Sequence, residues 1–196
     1  MRRRVGHRRH SQSCQIRSGF LGLKLAKEIA TDEYILYSSD LMRANQTAEI
    51  VGNHLGLNVI EEQDLREINT GIAAGKTKEW ARANRNPRTG TGFDIDYQEF
   101  HEGETWRQFF TRVCNCMDKI YNSEQKNLII VTHGGTLGYI IAWWMNFQTE
   151  MLSRAYYLAS VGSISILQTN IFSQHALHKF NDTSHLSELI VNLEEN

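Results

Sequence analysis

Residues 127–145, NLIIVTHGGTLGYIIAWWM, constrain the fold more than any other stretch of the chain. An aliphatic run from Leu128 to Val131 stops at a histidine, two glycines follow, and a second apolar segment begins. A continuous β-branched and aliphatic run of this kind suits a strand covered on both faces. Gly134 and Gly135 let the backbone turn closely, so that Thr136 starts a helix. The unit therefore reads as strand, tight turn, helix, with His133 at the carboxyl end of the strand beside the free N–H groups of a helix start. Open α/β sheets bind ligands at that edge, and helix N-termini favour anions. A histidine that merely caps the strand and is satisfied by hydrogen bonds fits these residues equally well.

The chain has 196 residues, enough for one domain that buries most of the surface its unfolded form exposes. Its longest apolar run, residues 137–145, falls far short of the ~20 residues that span a bilayer, which argues for a soluble protein and against a membrane partner. Cys14, Cys114 and Cys116 are odd in number and form no CxxC pair, against both a disulfide framework and a structural zinc site. A reducing, cytoplasmic setting is the corresponding expectation, and no hydrophobic signal core follows the first arginines. Charge is uneven: Arg2, Arg3, Arg4, Arg8 and Arg9 carry +5 of a net −1, leaving −6 for the rest. One basic end on an acidic body is not a nucleic-acid-binding face.

Residues 1–10, MRRRVGHRRH, make a poor central strand, because a strand covered on both faces cannot bury unpaired arginines. From Gly19 the spacing of Leu21, Leu25 and Ile29 predicts a helix, and residues 34–37, YILY, a short buried strand. Ser38, Ser39 and Asp40 offer oxygens to cap the next helix, whose inner stripe is Leu41, Ala44, Ala48, Val51 and Leu55, ended by Gly56. A strand at 58–61 precedes a polar stretch, residues 72–103, with one short helical candidate at 76–83 and turn-rich RTGTG; a loop this long reads as a lid or specificity insertion. Residues 104–121 read as an amphipathic helix on Trp106, Phe109, Phe110, Val113, Met117 and Ile120, and later strands are expected at 161–167 and 176–180. Alternating strands and helices imply an α/β fold, a doubly wound, mostly parallel sheet with helices on both faces.

Four short stretches share a chemical theme: Arg9-His10 with Gln12 and Ser13, Ser39-Asp40-Leu41 leading to Arg43, Leu65-Arg66-Glu67, and Thr132-His133-Gly134. Among their residues are two histidines, two arginines and a carboxylic acid near strand ends or loops. That set suits phosphoryl transfer: arginines clamp phosphate oxygens, an imidazole attacks phosphorus, and an acid protonates the leaving oxygen. With arginines as the cations, no metal or other cofactor is called for.

The stretches also occur in the order of the histidine phosphatase superfamily, the phosphoglycerate mutase-like family, which the chain resembles. RHSQS at 9–13 resembles the family's RHG(E/Q)(S/T) signature, and YSSDLMRANQTAEIV at 37–51 its SSDLxRAxQTA helix. LREINTG resembles its LxExxxG segment, EGETW its GES element, VTHGG its second histidine motif and NDTSHL its usual ending. The resemblance implies a phosphoglycerate mutase-like domain over residues 1–196. It implies that His10 is the nucleophile, that Arg9 and Arg43 hold the phosphate, that His133 stabilises the transferring group, and that Glu67 is the proton donor. Gln12, Ser13 and the Gly134 N–H are further phosphate contacts on this reading. The partner is a small phosphorylated substrate; a homodimer remains open.

The amino end departs from the pattern. Ser11 stands where the family has a glycine, CQIRSG lacks a counterpart of the expected asparagine, and the interval from His10 to Ser38 is short. The conflict predicts a break or mobile backbone between His10 and Leu25. A hydrolase acting on a small phosphomonoester is the leading expectation, beside a mutase-type phosphoryl transferase and a non-catalytic phospholigand-binding relative. Lys76, Lys78, Arg82, Arg85 and Arg88 suggest an acidic substrate, while Trp80, Phe93, Tyr97 and Phe100 could stack a ring; a solvated lid explains the same residues.

Overall fold

A computed structural model describes residues 12–123 and 127–187. In chain order its regular elements are α1 (Gln12–Glu28), β1 (Tyr34–Ser38), α2 (Met42–Leu55), β2 (Val59–Glu61), α3 (Lys78–Ala83), α4 (Trp106–Ser123), β3 (Asn127–Val131), α5 (Gly134–Trp144), β4 (Ile164–Thr169) and β5 (His175–Asp182). The stretch 1–10, with Arg9 and His10, lies outside the described residues.

Strands β2, β1 and β3 form a parallel sheet in that order, with β1 in the middle. Leu36 pairs with Val59 on one side and Ile129 on the other, and Ser38 lies level with Val131. Strand alternation then sorts the side chains. Ile129 packs with Leu21 of α1 and Val51 and Leu55 of α2. Tyr37, Ile35, Leu128 and Ile130 pack on the other face against Phe109, Phe110, Val113 and Met117 of α4 and Tyr139 and Ile140 of α5. Helices therefore cover both faces of one α/β domain. Fully buried Phe109 marks the larger core, where truncation to alanine costs about 3–5 kcal/mol. Among the described residues no helix is long and apolar enough to cross a membrane.

Two local expectations change. Ser38, Ser39 and Asp40 do not cap α2: the N-cap is Leu41, with no side-chain cap, because all three side chains are used elsewhere. The two late strands expected from the sequence are present and form an antiparallel hairpin, a direction that the sequence left open. Asn170 Oδ1 accepts the N–H groups of Phe172 and Gln174, closing a turn far too short for a parallel crossover. Second, no break interrupts the described part of the interval expected to hold one: residues 12–25 belong to the continuous α1, while residues 10 and 11 lie outside the described residues. Small residues explain it: Gly22 lies against the His54 ring, and Ser18 Oγ reaches Cys14 O and Thr47 Oγ1, so α1 packs closely on α2 from its first turns. Gly56 ends α2 with φ +67°, the left-handed cap conformation that glycine adopts without strain.

Residues 72–103 hold α3 and are otherwise irregular. Ile72 N–H donates to His101 O (3.0 Å) and Glu104 N–H to Asn69 O (2.8 Å), so the two ends of the excursion meet.

Candidate active site

The β1 and β3 ladders run one step past the strands, where Ser39 N–H donates to Val131 O at 3.0 Å. That step places the β1–α2 turn beside the β3–α5 turn, so the N-termini of α2 and α5 open onto one sheet edge. His133 and Arg43 meet there although ninety residues separate them: Arg43 Nε donates to His133 Nδ1 at 3.2 Å. The other ring nitrogen, Nε2, lies 2.9 Å from Ser39 Oγ, which also accepts the Leu41 N–H at 3.3 Å. Since Nδ1 accepts, the neutral ring carries its proton on Nε2 and donates it to Ser39.

Burial, followed by the nearby Arg43 guanidinium, pushes the His133 pKa down from 6.5 to about 4, against an opposing pull from Asp40. At neutral pH this histidine is an uncharged donor. Arg43 occupies the first turn of α2, where a cation opposes the helix dipole. A cation at a positive helix end, beside a second such end, makes a local field that favours a bound anion.

Glu67 completes the cluster. Its Oε1 accepts from its neighbour Ile68 N–H and its Oε2 from Gly135 N–H, both at 3.0 Å, so the carboxylate sits at the positive end of α5. Gly135 is required for this approach, since a Cβ at that position would collide with Glu67 Oε1. The Glu67 loop is tied to the Arg43 loop by Arg66, whose Nε donates to Asp40 Oδ1 at 2.6 Å and whose Nη2 donates to Asp40 Oδ2. It is tied to the His133 turn by two hydroxyls, Thr132 to Leu65 O (2.7 Å) and Thr136 to Arg66 O (2.9 Å).

Of the residues singled out from sequence, the structure thus brings Arg43, Glu67, His133 and Gly134 to one edge. Gln12 and Ser13 are exposed in the first turn of α1, and His10 and Arg9 lie outside the described residues. Phe100 is buried and unavailable to stack a ligand, and Arg85 is paired with Glu99 at 2.6 Å. Ser39, Asp40, Arg66, Thr132 and Thr136 acquire roles that sequence reading missed. The available signal was only that Asp40 and Arg66, of opposite charge, stand in two of the four chemistry-bearing stretches; that they meet is shown by the fold.

Residues 21–183 match the family described as histidine phosphatase superfamily (branch 1), four-fifths of the chain. The chain belongs to the histidine phosphatase superfamily. Within that superfamily it is 27% identical over 157 residues to the uncharacterized phosphatase PhoE of Bacillus subtilis, covering 80% of this chain and 74% of that protein. It is 29% identical over 123 residues to phosphoglycerate mutase-like protein 4 of Arabidopsis thaliana, covering 58% of this chain and 52% of that one. The chain spans about half the length of several of the curated relatives it matches. A solved mycobacterial glucosyl-3-phosphoglycerate phosphatase has the same fold, with a TM-score of 0.71 at 21% identity and 88% of each chain covered. The histidine phosphatase fold accounts for the parallel sheet with helices on both faces.

Proposed function

We propose that this chain is a cofactor-independent phosphatase that hydrolyses a small phosphomonoester through a phosphohistidine intermediate. The observation that carries the reading is the convergence of Arg43, neutral His133 and Glu67 where two helix N-termini meet. Relatives named as phosphatases support it, the Bacillus subtilis protein over most of the chain. Arg43 and the α5 N-terminus, with the Gly134 N–H, hold the phosphate oxygens, while the histidine motif contributes Arg9, Gln12 and Ser13. His10 attacks phosphorus, the bond to the leaving oxygen breaks, and Glu67 delivers the proton that makes the product alcohol. Water then attacks the phosphorus of phosphohistidine, Glu67 takes its proton, and inorganic phosphate leaves with His10 restored. His133 turns its Nε2–H from Ser39 to the phosphoryl oxygens as charge builds on them. Residues 72–103 serve as a lid on this reading, with Arg88 4.8 Å over the Tyr97 ring and Lys76 5.4 Å over Trp80 presenting cation and aromatic together.

The cytoplasmic setting belongs to the same proposal. All three cysteines are free, and burial pushes the Cys114 thiol up to about 11 and Cys116 up to about 12, which keeps both protonated.

The test is hydrolysis of para-nitrophenyl phosphate in the presence of EDTA, with trapping of acid-labile phosphohistidine. Turnover should persist on chelation and vanish in His10→Ala. Activity lost to EDTA, or unaffected by His10→Ala, removes His10 from its role.

A further inference from the structure

We infer that Arg112, on α4, is the positioning residue that holds the Glu67 loop in register with the site; the role rests on the phosphatase reading above. The geometry is unusually complete. A guanidinium has five N–H donors in a fixed planar fork, and all five of Arg112 are used. Nε donates to Glu104 Oε1 at 2.7 Å and Nη2 to Glu104 Oε2 at 2.8 Å. The other three N–H groups go to the backbone: Nη1 to Asp64 O (2.7 Å) and Arg66 O (3.2 Å), and Nη2 to Glu67 O (3.4 Å). With Thr132 on Leu65 O, every carbonyl from Asp64 to Glu67 has a side-chain donor.

The ion pair is itself anchored. Glu104 Oε2 also accepts the Asn69 N–H at 2.8 Å, and Glu104 N–H returns to Asn69 O. The two side chains are shielded, at 20% and 18% exposure, and Arg112 lies 5.0 Å over the Phe109 ring, the fully buried centre of the core. Burial pushes the Glu104 carboxyl up, but Arg112 and the Asn69 N–H together bring it below its usual value, so the pair stays ionised. A purely structural ion pair would be satisfied by Glu104. Here three of five donors are spent on the segment that carries the proton donor, while Thr132 and Thr136 hold the same segment from either side of His133. The Glu67 carboxylate is thus fixed relative to both histidine turn and core, and Arg112 is the only one of these tethers that comes from α4.

Arg112 touches no reacting atom in this scheme, so its effect must appear where proton delivery matters. Phenolate leaves poorly without a proton, and para-nitrophenolate leaves well without one. Arg112→Lys keeps the charge facing Glu104 but replaces the fork with a point donor that cannot reach three carbonyls. We expect the ratio of kcat/KM for para-nitrophenyl phosphate to that for phenyl phosphate to rise about tenfold or more, as a misplaced general acid requires, with the inhibition constant for inorganic phosphate unchanged within about threefold. Glu104→Gln, which leaves the guanidinium but removes the charge that anchors it, should move the ratio the same way. Thermal melts accompany both variants. An unchanged ratio, an equal fall on both substrates, or loss of the fold in both variants makes Arg112 a structural prop and overturns the proposal. Wild-type inactivity toward both esters would instead remove the phosphatase reading, and this role with it.

Discussion

Gly135→Ala separates stability from chemistry at the proposed site. Position 135 lies in the first turn of α5 without a positive φ, so alanine fits the backbone, and the helix itself gains up to about 1 kcal/mol. The added Cβ, however, would overlap Glu67 Oε1 and lie 3.1 Å from Cδ and 3.3 Å from Oε2. To reach ordinary contact the carboxylate must retreat by about an ångström, which breaks its bond with the Gly135 N–H. Loss of a hydrogen bond to a charged group costs about 1.5–3 kcal/mol, so the net destabilisation is about 0.5–2 kcal/mol, or roughly 1–8 °C in melting temperature for a chain of this size. A misplacement of about 1 Å in a catalytic group can cost roughly a hundredfold in rate. The expected outcome is a folded protein, slightly less stable, with kcat/KM for phenyl phosphate down about a hundredfold and phosphate inhibition little changed. Differential scanning calorimetry and steady-state kinetics on the same preparation measure both. A variant as active as the wild type would show that Glu67 is not the acid, or that its contact with the α5 N-terminus is incidental.

Two further outcomes concern pH. His133 has a folded pKa below its unfolded value, so the unfolded chain takes up a proton first; its contribution is full above pH 6.5 and is lost as pH falls from 6.5 to about 4, up to about 3 kcal/mol. Urea midpoints should decline across that window, and the His133 ring resonances should stay those of a neutral Nε2–H imidazole at pH 5.5; a ring titrating near 6.5 contradicts its environment. Asp40 is held below its usual range by its bond to Arg66, with burial opposing, so its contribution is present above pH 3.8 and lost as pH falls through the lower folded value. With Arg66 39% exposed, screening limits the cost of Asp40→Asn to about 1 kcal/mol at pH 7, and the gap between variant and wild type in urea melts should narrow as pH falls below 3.8.

Periodic features were legible in the sequence because their cause is local. The Leu128–Val131 run, the Ala44, Ala48, Val51, Leu55 stripe and the aromatic face of α4 each record which side of an element meets the core; the structure buries the two helix faces and leaves the strand run half-buried. The late strands at 161–167 and 176–180 were legible as strands but not in their direction, which is carried by the Asn170 turn between them. α1 was under-extended because its contact with α2 uses Ser18 and Gly22, which carry no hydrophobic signal.

The site divides along similar lines. Arg43, Glu67 and His133 stood out as residue types in suggestive surroundings: Glu67 and His133 lie in loops after strands, and Arg43 in the first turn of α2. What holds them is long-range: Arg66 crosses 26 positions to Asp40, Thr132 crosses 67 to Leu65, and Arg112 crosses 45 to Glu67. A sequence shows that such charges and hydroxyls exist but not which of them meet. Arg112 is the instructive case, because it lies three residues after Phe109 and next to Val113, beside the helix's most buried stripe. A guanidinium there must find acceptors or remain unpaired against the core, and unpaired buried charge costs several kcal/mol. The sequence therefore required partners for Arg112. Only the fold shows that most of them are the carbonyls that carry Glu67.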